Sequence, residues 1–294
     1  GQGCVISALG ETWCWGSGSY GQLGDGLVEH DGFPVQVVNF ANPSRISAGY
    51  NTTCGVNTSN QAYCWGLGGY GQMGNGTNTI ENLSPVAVTI GTISKISVGG
   101  AYQVCAITTG GAAFCWGADT WGQLGNGNPL ADSNVPVPVT GLGDGTMSDI
   151  AGGGVFTCGL TIGGGVKCWG YNGDGELGNN TTTNSPVPVD VSGFSSGVSA
   201  IATGDYHTCA LITADGSVKC WGYNGYGQLG DGTDTNRLVP TLVDGLGAPA
   251  IAISAGGNHT CALLNDGTIQ CWGDNSDGEL GIGDNDPDIV LNPI

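Results

Sequence analysis

A phrase made of Cys-Trp-Gly followed by an aromatic-Gly-Gln-Leu-Gly turn occurs, with small variations, six times along this chain. Its fullest form occupies residues 220–230 and reads Cys-Trp-Gly-Tyr-Asn-Gly-Tyr-Gly-Gln-Leu-Gly. The tryptophan of the phrase stands at Trp15, Trp65, Trp116, Trp169, Trp221 and Trp272, so successive copies are 50 to 53 residues apart. Self-similarity at a period of this size indicates a repeat architecture, in which each copy builds one supersecondary unit.

One copy predicts four short strands. In the fifth copy, residues 200–204 form a short apolar run, and residues 207–212 alternate with period two as a strand does. Asp215-Gly216 is a strong hairpin signal, and residues 217–221 return as the partner strand. A glycine-rich loop then leads to residues 238–243, whose proline favours a sheet edge or a bulge. Four short strands in each repeat are typical of a β-propeller blade.

The repeat therefore predicts an all-β fold, a six-bladed β-propeller that occupies residues 1–294 as a single domain. The approximate repeats are 1–43, 44–93, 94–147, 148–198, 199–249 and 250–294. The 58 glycines recur in register with Trp and Cys, so we interpret them as turn residues and not as a sign of disorder.

The two ends of the chain suggest how the propeller is closed. Cys4 lies almost at the start of the first repeat, and residues 288–294 match the proline-marked strand, so we expect both termini to close the last blade. One strand is then unaccounted for. Residues upstream of this sequence, a three-stranded blade, or a strand donated by another molecule would each explain the gap.

Twelve cysteines fall in six pairs, and the two members of a pair are separated by nine residues, or by ten in the fifth repeat. Placed on the predicted hairpin, Cys209 and Cys220 lie directly opposite each other, close enough for a cross-strand disulfide. Zinc usually binds pairs separated by two to four residues, so we favour structural disulfides, one in each blade. The pairs are Cys4 with Cys14, Cys54 with Cys64, Cys105 with Cys115, Cys158 with Cys168, Cys209 with Cys220, and Cys261 with Cys271.

The tryptophan after each second cysteine faces the opposite side of its strand, because side chains alternate. Trp15, Trp65, Trp116, Trp169, Trp221 and Trp272 are therefore expected to pack between blades; a ligand-binding role is the less favoured alternative.

Charge and cysteine content restrict the compartment and the partners. Five Lys and Arg against 24 Asp and Glu give a formal net charge of -19, which would repel nucleic acid and anionic lipid. Paired cysteines point to an oxidising compartment. We therefore expect an exported protein that is extracellular or at the cell surface. The sequence has no 18-residue apolar stretch, so we expect no membrane span. It also has no basic segment followed by an apolar run at its start, as expected of the mature form of an exported protein.

The combination of Gly-x-x-His-Thr, x-Trp-Gly and Gly-Gln-Leu-Gly resembles the regulator of chromosome condensation repeat family over nearly all of residues 1–294. The resemblance implies β-propellers with four-stranded blades, often seven of them. Kelch propellers share the period and double glycines such as Gly152-Gly153, but they lack the Gly-Gln-Leu-Gly turn. We therefore rank the kelch alternative second.

The functions known in that family are diverse: nucleotide exchange with chromatin binding, ultraviolet perception, and inhibition of secreted β-lactamases. Chromatin binding requires basic arms, which this chain lacks. Photoreceptor members place Trp-Arg before His-Thr, where this chain has Asp205-Tyr206 and Gly257-Asn258. The secreted inhibitors are closest in setting, but their contacts lie in loops that have no motif to match.

Two turns replace the common Gln by Glu. Asp174 and Glu176 in the fourth repeat, and Asp277 and Glu279 in the sixth, place carboxylates two residues apart in a glycine-rich loop. Such a pair suits a hard cation such as calcium. A solvated turn in an acidic protein is the alternative, and we favour it, so we expect no cofactor.

The remaining polar residues do not assemble into catalytic machinery. His207 and His259 occupy a repeat position and are expected to hydrogen-bond within their own blades, and all the cysteines are committed to disulfides. The sequence thus predicts a non-enzymatic structural or adhesive interaction propeller, such as a subunit of a surface appendage or filament assembled by strand complementation. A monomeric secreted protein-binding or inhibitor propeller is the alternative, and a propeller enzyme is third. The expected partner is a protein or a further copy of the chain.

Overall fold

The computed structural model describes residues 1–100, 102–128, 131–283 and 288–294. Over these residues the fold is all-β: six sheets form the six blades of a β-propeller, as the repeat predicts. The chain divides into two compact units, Gly1–Gly152 and Gly153–Ile294. No helix capable of crossing a membrane occurs in the described ranges.

Among its described residues, the first unit contains twelve strands. The first sheet has three of them, β1 (Gln2–Ile6), β2 (Thr12–Gly16) and β3 (Asp31–Gln36). The second sheet consists of β4 (Pro43–Ala48), β5 (Thr52–Asn57), β6 (Ala62–Leu67) and β7 (Glu81–Ala87). The third consists of β8 (Ile93–Val98), β9 (Gln103–Thr108), β10 (Ala113–Gly117) and β11 (Ser133–Pro138), and β12 (Met147–Gly152) ends the unit.

The second unit contains eleven strands. β13 (Phe156–Thr161), β14 (Val166–Gly170) and β15 (Ser185–Asp190) pair in that order in the fourth sheet. The fifth sheet has β16 (Val198–Thr203), β17 (His207–Ile212), β18 (Val218–Gly222) and β19 (Arg237–Leu242). The sixth has β20 (Ala250–Ala255), β21 (His259–Leu264), β22 (Ile269–Asp274) and β23 (Ile289–Val290).

The cysteine pairing predicted from the hairpin is confirmed in all six blades. Cys209 lies opposite Cys220 in the register of β17 and β18, and Cys4 lies opposite Cys14 in that of β1 and β2. Each of the six pairs is a disulfide with a Cα–Cα distance of 4.1 Å, and no cysteine is free.

The glycine of Cys-Trp-Gly is required by a bulge. The register of β18 against β19 shifts between Cys220 and Gly222, and Gly222 takes a φ of +102°. A Cβ at Gly222 would lie 2.5 Å from the Tyr206 carbonyl oxygen, so a side chain does not fit there. The bulge increases the local twist just before the chain enters the long loop.

In three blades the tryptophan of the phrase is hydrogen-bonded to the turn of the preceding blade, at Trp116, Trp221 and Trp272. Trp116 donates its Nε1–H to the Gln72 carbonyl at 2.8 Å, and Trp272 donates to the Gln228 carbonyl at 2.9 Å. A Cβ at Gly74 would lie 2.8 Å from Trp116 Nε1, so the last glycine of the turn makes room for the ring. The two halves of the repeated phrase therefore join neighbouring blades.

Most of the tryptophan rings are completely buried. Five of the six rings have no exposed surface: Trp65, Trp116, Trp169, Trp221 and Trp272. Trp15, in the three-stranded first sheet, is only half-buried. The hydrophobic core of each unit accordingly lies between successive blades, where disulfides, tryptophans and the leucine of the turn meet.

The ends of the chain differ from the expectation that both close one blade. The C-terminal residues pair with β22: β23 extends its edge, and Ile294 exchanges backbone hydrogen bonds with Cys271 at 3.1 Å in each direction. The N-terminal strand β1 pairs instead with β2 in the first sheet. Each end therefore lies in a sheet built from its own repeat, because the hairpin pairings are local in sequence.

Candidate protein-interaction surface

Two loops of each four-stranded sheet lie at the same end of the strands. In an antiparallel sheet, the loop after the first strand and the loop after the third strand are on the same side, because both leave strands that run in the same direction. In the second sheet these loops are residues 49–51 and 68–80. The second of them begins with the turn of the repeated phrase, so the phrase determines which side chains are displayed at this end of the strands.

A buried glutamine holds the turn and directs an aromatic side chain outward. Tyr70 donates its backbone N–H to Gln72 Oε1 at 2.8 Å, and the Gln72 side chain is fully buried. Trp121 makes the same bond to Gln123 Oε1 at 2.8 Å. Tyr70 and Trp121 are 46% and 43% exposed. Both lie in loops, so the strand pattern does not explain why a large aromatic side chain is kept at the surface.

Aromatic pairs continue this pattern in both units. In the first unit, Tyr70 stacks on Tyr102, with ring centroids 5.0 Å apart and planes inclined by 22°. Tyr102 takes a φ of +73°, a conformation that costs a non-glycine residue roughly 1–2 kcal/mol. In the second unit, Tyr171 meets Tyr206 edge to face at 6.2 Å.

We call these side chains the aromatic loop residues: Tyr50, Tyr70, Tyr102 and Trp121 in the first unit, and Tyr171, Tyr206, Tyr223 and Tyr226 in the second. Partial burial, followed by the Glu176 carboxylate, raises the pKa of Tyr171. Exposed Tyr and Trp are the residue types enriched in protein interfaces. Three of them, Tyr70, Trp121 and Tyr226, stand at the first position of the repeated turn and could have been found from that signal, whereas the other five lie elsewhere in the loops.

The carboxylates considered for calcium take the place of the glutamine. Glu176 Oε2 accepts the Asp174 backbone N–H at 2.9 Å, just as the Gln72 amide oxygen does in its turn. Asp174 Oδ1 accepts a hydrogen bond from Asn236 Nδ2 at 2.9 Å. Burial raises the pKa of the Glu176 carboxyl to about 7. Glu176 thus already has a structural role in its turn.

The equivalent pair in the sixth blade differs in exposure. Glu279 Oε2 accepts the Asp277 backbone N–H at 3.0 Å, and the Glu279 side chain is only half-buried, whereas Glu176 is fully buried. Within the described part of the chain, no three His, Cys, Asp or Glu side chains come together as a metal-binding group. Calcium at Asp174, Glu176, Asp277 and Glu279 stays the less favoured, untested alternative to a solvated turn.

His207 is fully buried, but its partner is not in its own blade. Its Nε2 lies 2.8 Å from Thr260 Oγ1 on β21, in the sixth sheet. Burial lowers the pKa of His207 to about 3, so the ring is neutral. The expectation of a hydrogen bond within the blade was wrong for His207, because the imidazole projects from the sheet face toward the next blade.

Shallow clefts lie at the opposite end of the strands. Cavities of about 740, 510 and 480 Å³ lie in the third, fourth and fifth repeats, each between a hairpin and the loop that follows the outer strand. Their recurrence at the same place indicates that the blade geometry produces them.

The regulator of chromosome condensation (RCC1) repeat model matches five segments of the chain. The matched residues are 10–56, 59–106, 110–160, 164–211 and 215–263. A second model of the same description matches residues 44–72, 147–176, 198–228 and 250–279. Together these segments cover most of the chain.

Individual relatives agree with the family models. The ultraviolet-B receptor UVR8 of Arabidopsis thaliana is 30% identical over 282 residues, which are 93% of this chain and 63% of UVR8. The mitochondrial RCC1 domain-containing protein RUG3 of the same plant is 33% identical over 210 residues, 69% of this chain and 46% of RUG3. The chain thus spans less than two thirds of the length of these relatives.

Solved structures show the same fold. Yeast RCC1 (Prp20), in a crystal structure bound to Kap60, superposes with a TM-score of 0.86 at 20% identity, over 100% of this chain and 72% of that chain. Human WBSCR16 superposes with a TM-score of 0.84 at 23% identity, over 96% of this chain and 78% of that chain. A further structural study of Prp20p from Saccharomyces cerevisiae describes its binding to Gsp1p and histones.

Proposed function

Because the chain belongs to the regulator of chromosome condensation (RCC1) repeat family, we propose that it is an exported, non-enzymatic propeller that binds a protein partner through its aromatic loop residues. RCC1-type propellers are a protein-interaction fold. The observation that carries the proposal is the outward position of Tyr70 and Trp121, each held by a buried glutamine. We further propose that the six repeats act as one domain.

The chemistry of this surface favours a protein over a nucleic acid. Tyr and Trp offer large contact area at a small cost in side-chain entropy, and their polar atoms tolerate solvent. A net charge of -19 with five basic residues opposes phosphate backbones. The proposed partner therefore presents an apolar surface with basic residues at its rim.

The proposed compartment is extracellular or the cell surface. Six disulfides and no free cysteine suit an oxidising environment. The relatives do not carry this inference, since RUG3 is described as mitochondrial. Expression in an oxidising and in a reducing compartment tests it: the folded protein should accumulate only in the first, and equal accumulation in both would contradict export.

The proposed role includes a structural or adhesive assembly by strand complementation. Among the described strands, β1 pairs only with β2, so it leaves one edge of the first sheet to accept a further strand. Residues 289–294 pair in their own sheet, so the donor is a different segment. Light scattering on the non-reduced protein should give open-ended multiples of 29.4 kDa; a single mass of 29.4 kDa would instead favour the monomeric inhibitor or binder. A propeller enzyme ranks third.

The interaction surface is tested by substitutions in the loops at the two opposite ends of the strands. The double variant Tyr70→Ser/Trp121→Ser should lose most retention of exported partner proteins on the immobilised chain. Leu9→Ser is the matched control, because Leu9 is 87% exposed in the hairpin at the other edge of its sheet. Loss of binding in the control and not in the double variant would refute the assignment.

A further inference from the structure

The long loop of the third blade differs from those of the fourth and fifth at two linked positions. The fourth blade has Asn172 and Asn184, and the fifth has Asn224 and Asn236. In both blades the second asparagine accepts the backbone N–H of the first through Oδ1, at 2.9 Å. The third blade has Asp119 and Asp132 instead, and the same bond, Asp119 N–H to Asp132 Oδ1, is 2.9 Å long. Two amides have therefore been replaced by two carboxylates in one scaffold.

In the fourth blade the first asparagine fills a cage of oxygen atoms. Asn172 Oδ1 accepts the Leu177 N–H at 2.9 Å. Its Nδ2 donates to the carbonyls of Thr181 and Thr183 at 2.9 and 3.1 Å, and lies 3.3 Å from Asn179 Oδ1. Asn224 repeats this arrangement in the fifth blade. The cage is built to receive a donor.

The third blade presents an acceptor to the same place. Asp119 Oδ1 accepts the Leu124 N–H at 2.9 Å, which fixes the carboxylate in the asparagine orientation. The Asp119 side chain is fully buried, and its Oδ2 accepts no hydrogen bond from any residue that the structure describes. An oxygen thus stands where the sister blades have an amide nitrogen.

One bond of the cage recurs in the third blade. Asn126 and Asn128 stand seven and nine residues after Asp119, as Asn179 and Thr181 do after Asn172. Asn126 Oδ1 accepts the Asn128 N–H at 2.8 Å, the counterpart of the bond between Asn179 and Thr181. Asp119 and Asp132 therefore lie in one loop with asparagine oxygens that correspond in sequence to cage oxygens of the fourth blade.

The structure assigns a calcium site to this loop, with Asp119 Oδ2, the Asp132 carboxylate, the Asn126 amide oxygen and the Asn128 carbonyl as protein ligands. Calcium takes six to eight oxygen ligands and tolerates irregular geometry, and two carboxylates match its charge. Asp132 and Asn128 are exposed, so solvent can supply the remaining ligands and an entry path. Calcium–oxygen distances are about half an ångström shorter than the cage distances of the fourth blade, so the loop contracts slightly on binding.

The test is calorimetric titration of the chelator-treated, non-reduced protein with calcium chloride at pH 7.5. We expect one calcium ion per chain, with a dissociation constant between about 10⁻⁵ and 10⁻³ M, and a higher unfolding temperature with calcium. Asp119→Asn should weaken binding by at least about tenfold while the protein folds, because its sister blades carry Asn there. Asp132→Asn is a second variant that should weaken binding.

Asp174→Asn is the matched control, since it removes a carboxylate from the turn of another blade. It should leave the calcium affinity unchanged. The site is overturned if about 5 mM calcium gives no binding, or if Asp119→Asn binds calcium as the parent chain does. It is also overturned if binding is lost in Asp174→Asn alone, or if Asp119→Asn raises stability at pH 8 with no calcium binding in the parent, which would show that Asp119 holds a proton.

Discussion

Glu176→Gln should make the protein more stable at alkaline pH and leave it unchanged at acid pH. Glu176 occupies the buried turn position that is glutamine in four other blades, as at Gln72 and Gln228. Burial raises its carboxyl pKa from 4.5 to about 7. Because the folded state then holds a proton that the unfolded chain has released, stability is fully present below pH 4.5 and falls as the pH rises through 7.

The magnitude follows from the size of this shift. A difference of roughly 2.5 pKa units corresponds to about 3 kcal/mol of lost stability above pH 7. Glutamine carries no charge and keeps the acceptor oxygen for the Asp174 N–H, so the variant avoids this loss. In a chain of this length, about 3 kcal/mol corresponds to roughly 5 °C in the unfolding temperature.

Thermal unfolding followed by circular dichroism at pH 4, 6 and 8, with a chelator present, measures the difference. Glu279→Gln is the matched control, because its carboxyl accepts the same turn hydrogen bond at a position that is only half-buried. The unfolding temperatures of Glu176→Gln and the parent should diverge between pH 4 and pH 8, while those of the control stay parallel to the parent. Parallel profiles for Glu176→Gln would refute the reasoning.

Three further substitutions test the blade architecture through the unfolding midpoint in guanidinium chloride. Replacing Cys209 and Cys220 together by Ala should cost a little under ~3 kcal/mol, by the loop-entropy relation, and no loss would show that the bridge is dispensable. Trp116→Ala should cost about 3–5 kcal/mol, since the ring is fully buried against the preceding turn, and a cost under about 1 kcal/mol would contradict that packing. Gly222→Ala should destabilise by more than about 1 kcal/mol, because φ is +102° and the new Cβ would lie 2.5 Å from a backbone oxygen. Gly32→Ala is its control in open space, and equal effects of the two would refute the steric argument.

The fold could be predicted because its decisive contacts are local. Cys209 and Cys220 lie at opposite places of one hairpin, so their spacing determines the register without reference to other blades. The proline-marked strand β19 lies at the sheet edge, as predicted, because a proline cannot donate to a central ladder. Residues 288–294 match the same outer strand by sequence, and β23 indeed pairs with β22 at the edge of the sixth sheet.

The candidate surface was harder to predict, because exposure depends on what a neighbouring blade covers. Trp121 and Trp116 are five residues apart, yet the first is 43% exposed and the second is fully buried. Similarly, His207 finds its partner on β21, about 50 residues away in sequence. Composition and period do not distinguish these fates.

The sequence by itself determined the period of about 51 residues, the four-stranded hairpin pattern and the six disulfides, because each depends on interactions within a single repeat. The tertiary structure decided which polar and aromatic groups are buried and which are held outward. Those outcomes depend on atoms of neighbouring blades, as for His207, whose partner Thr260 lies in the next sheet. The partners and the pKa of a buried group follow from that packing between blades, which the sequence of a single repeat does not reveal.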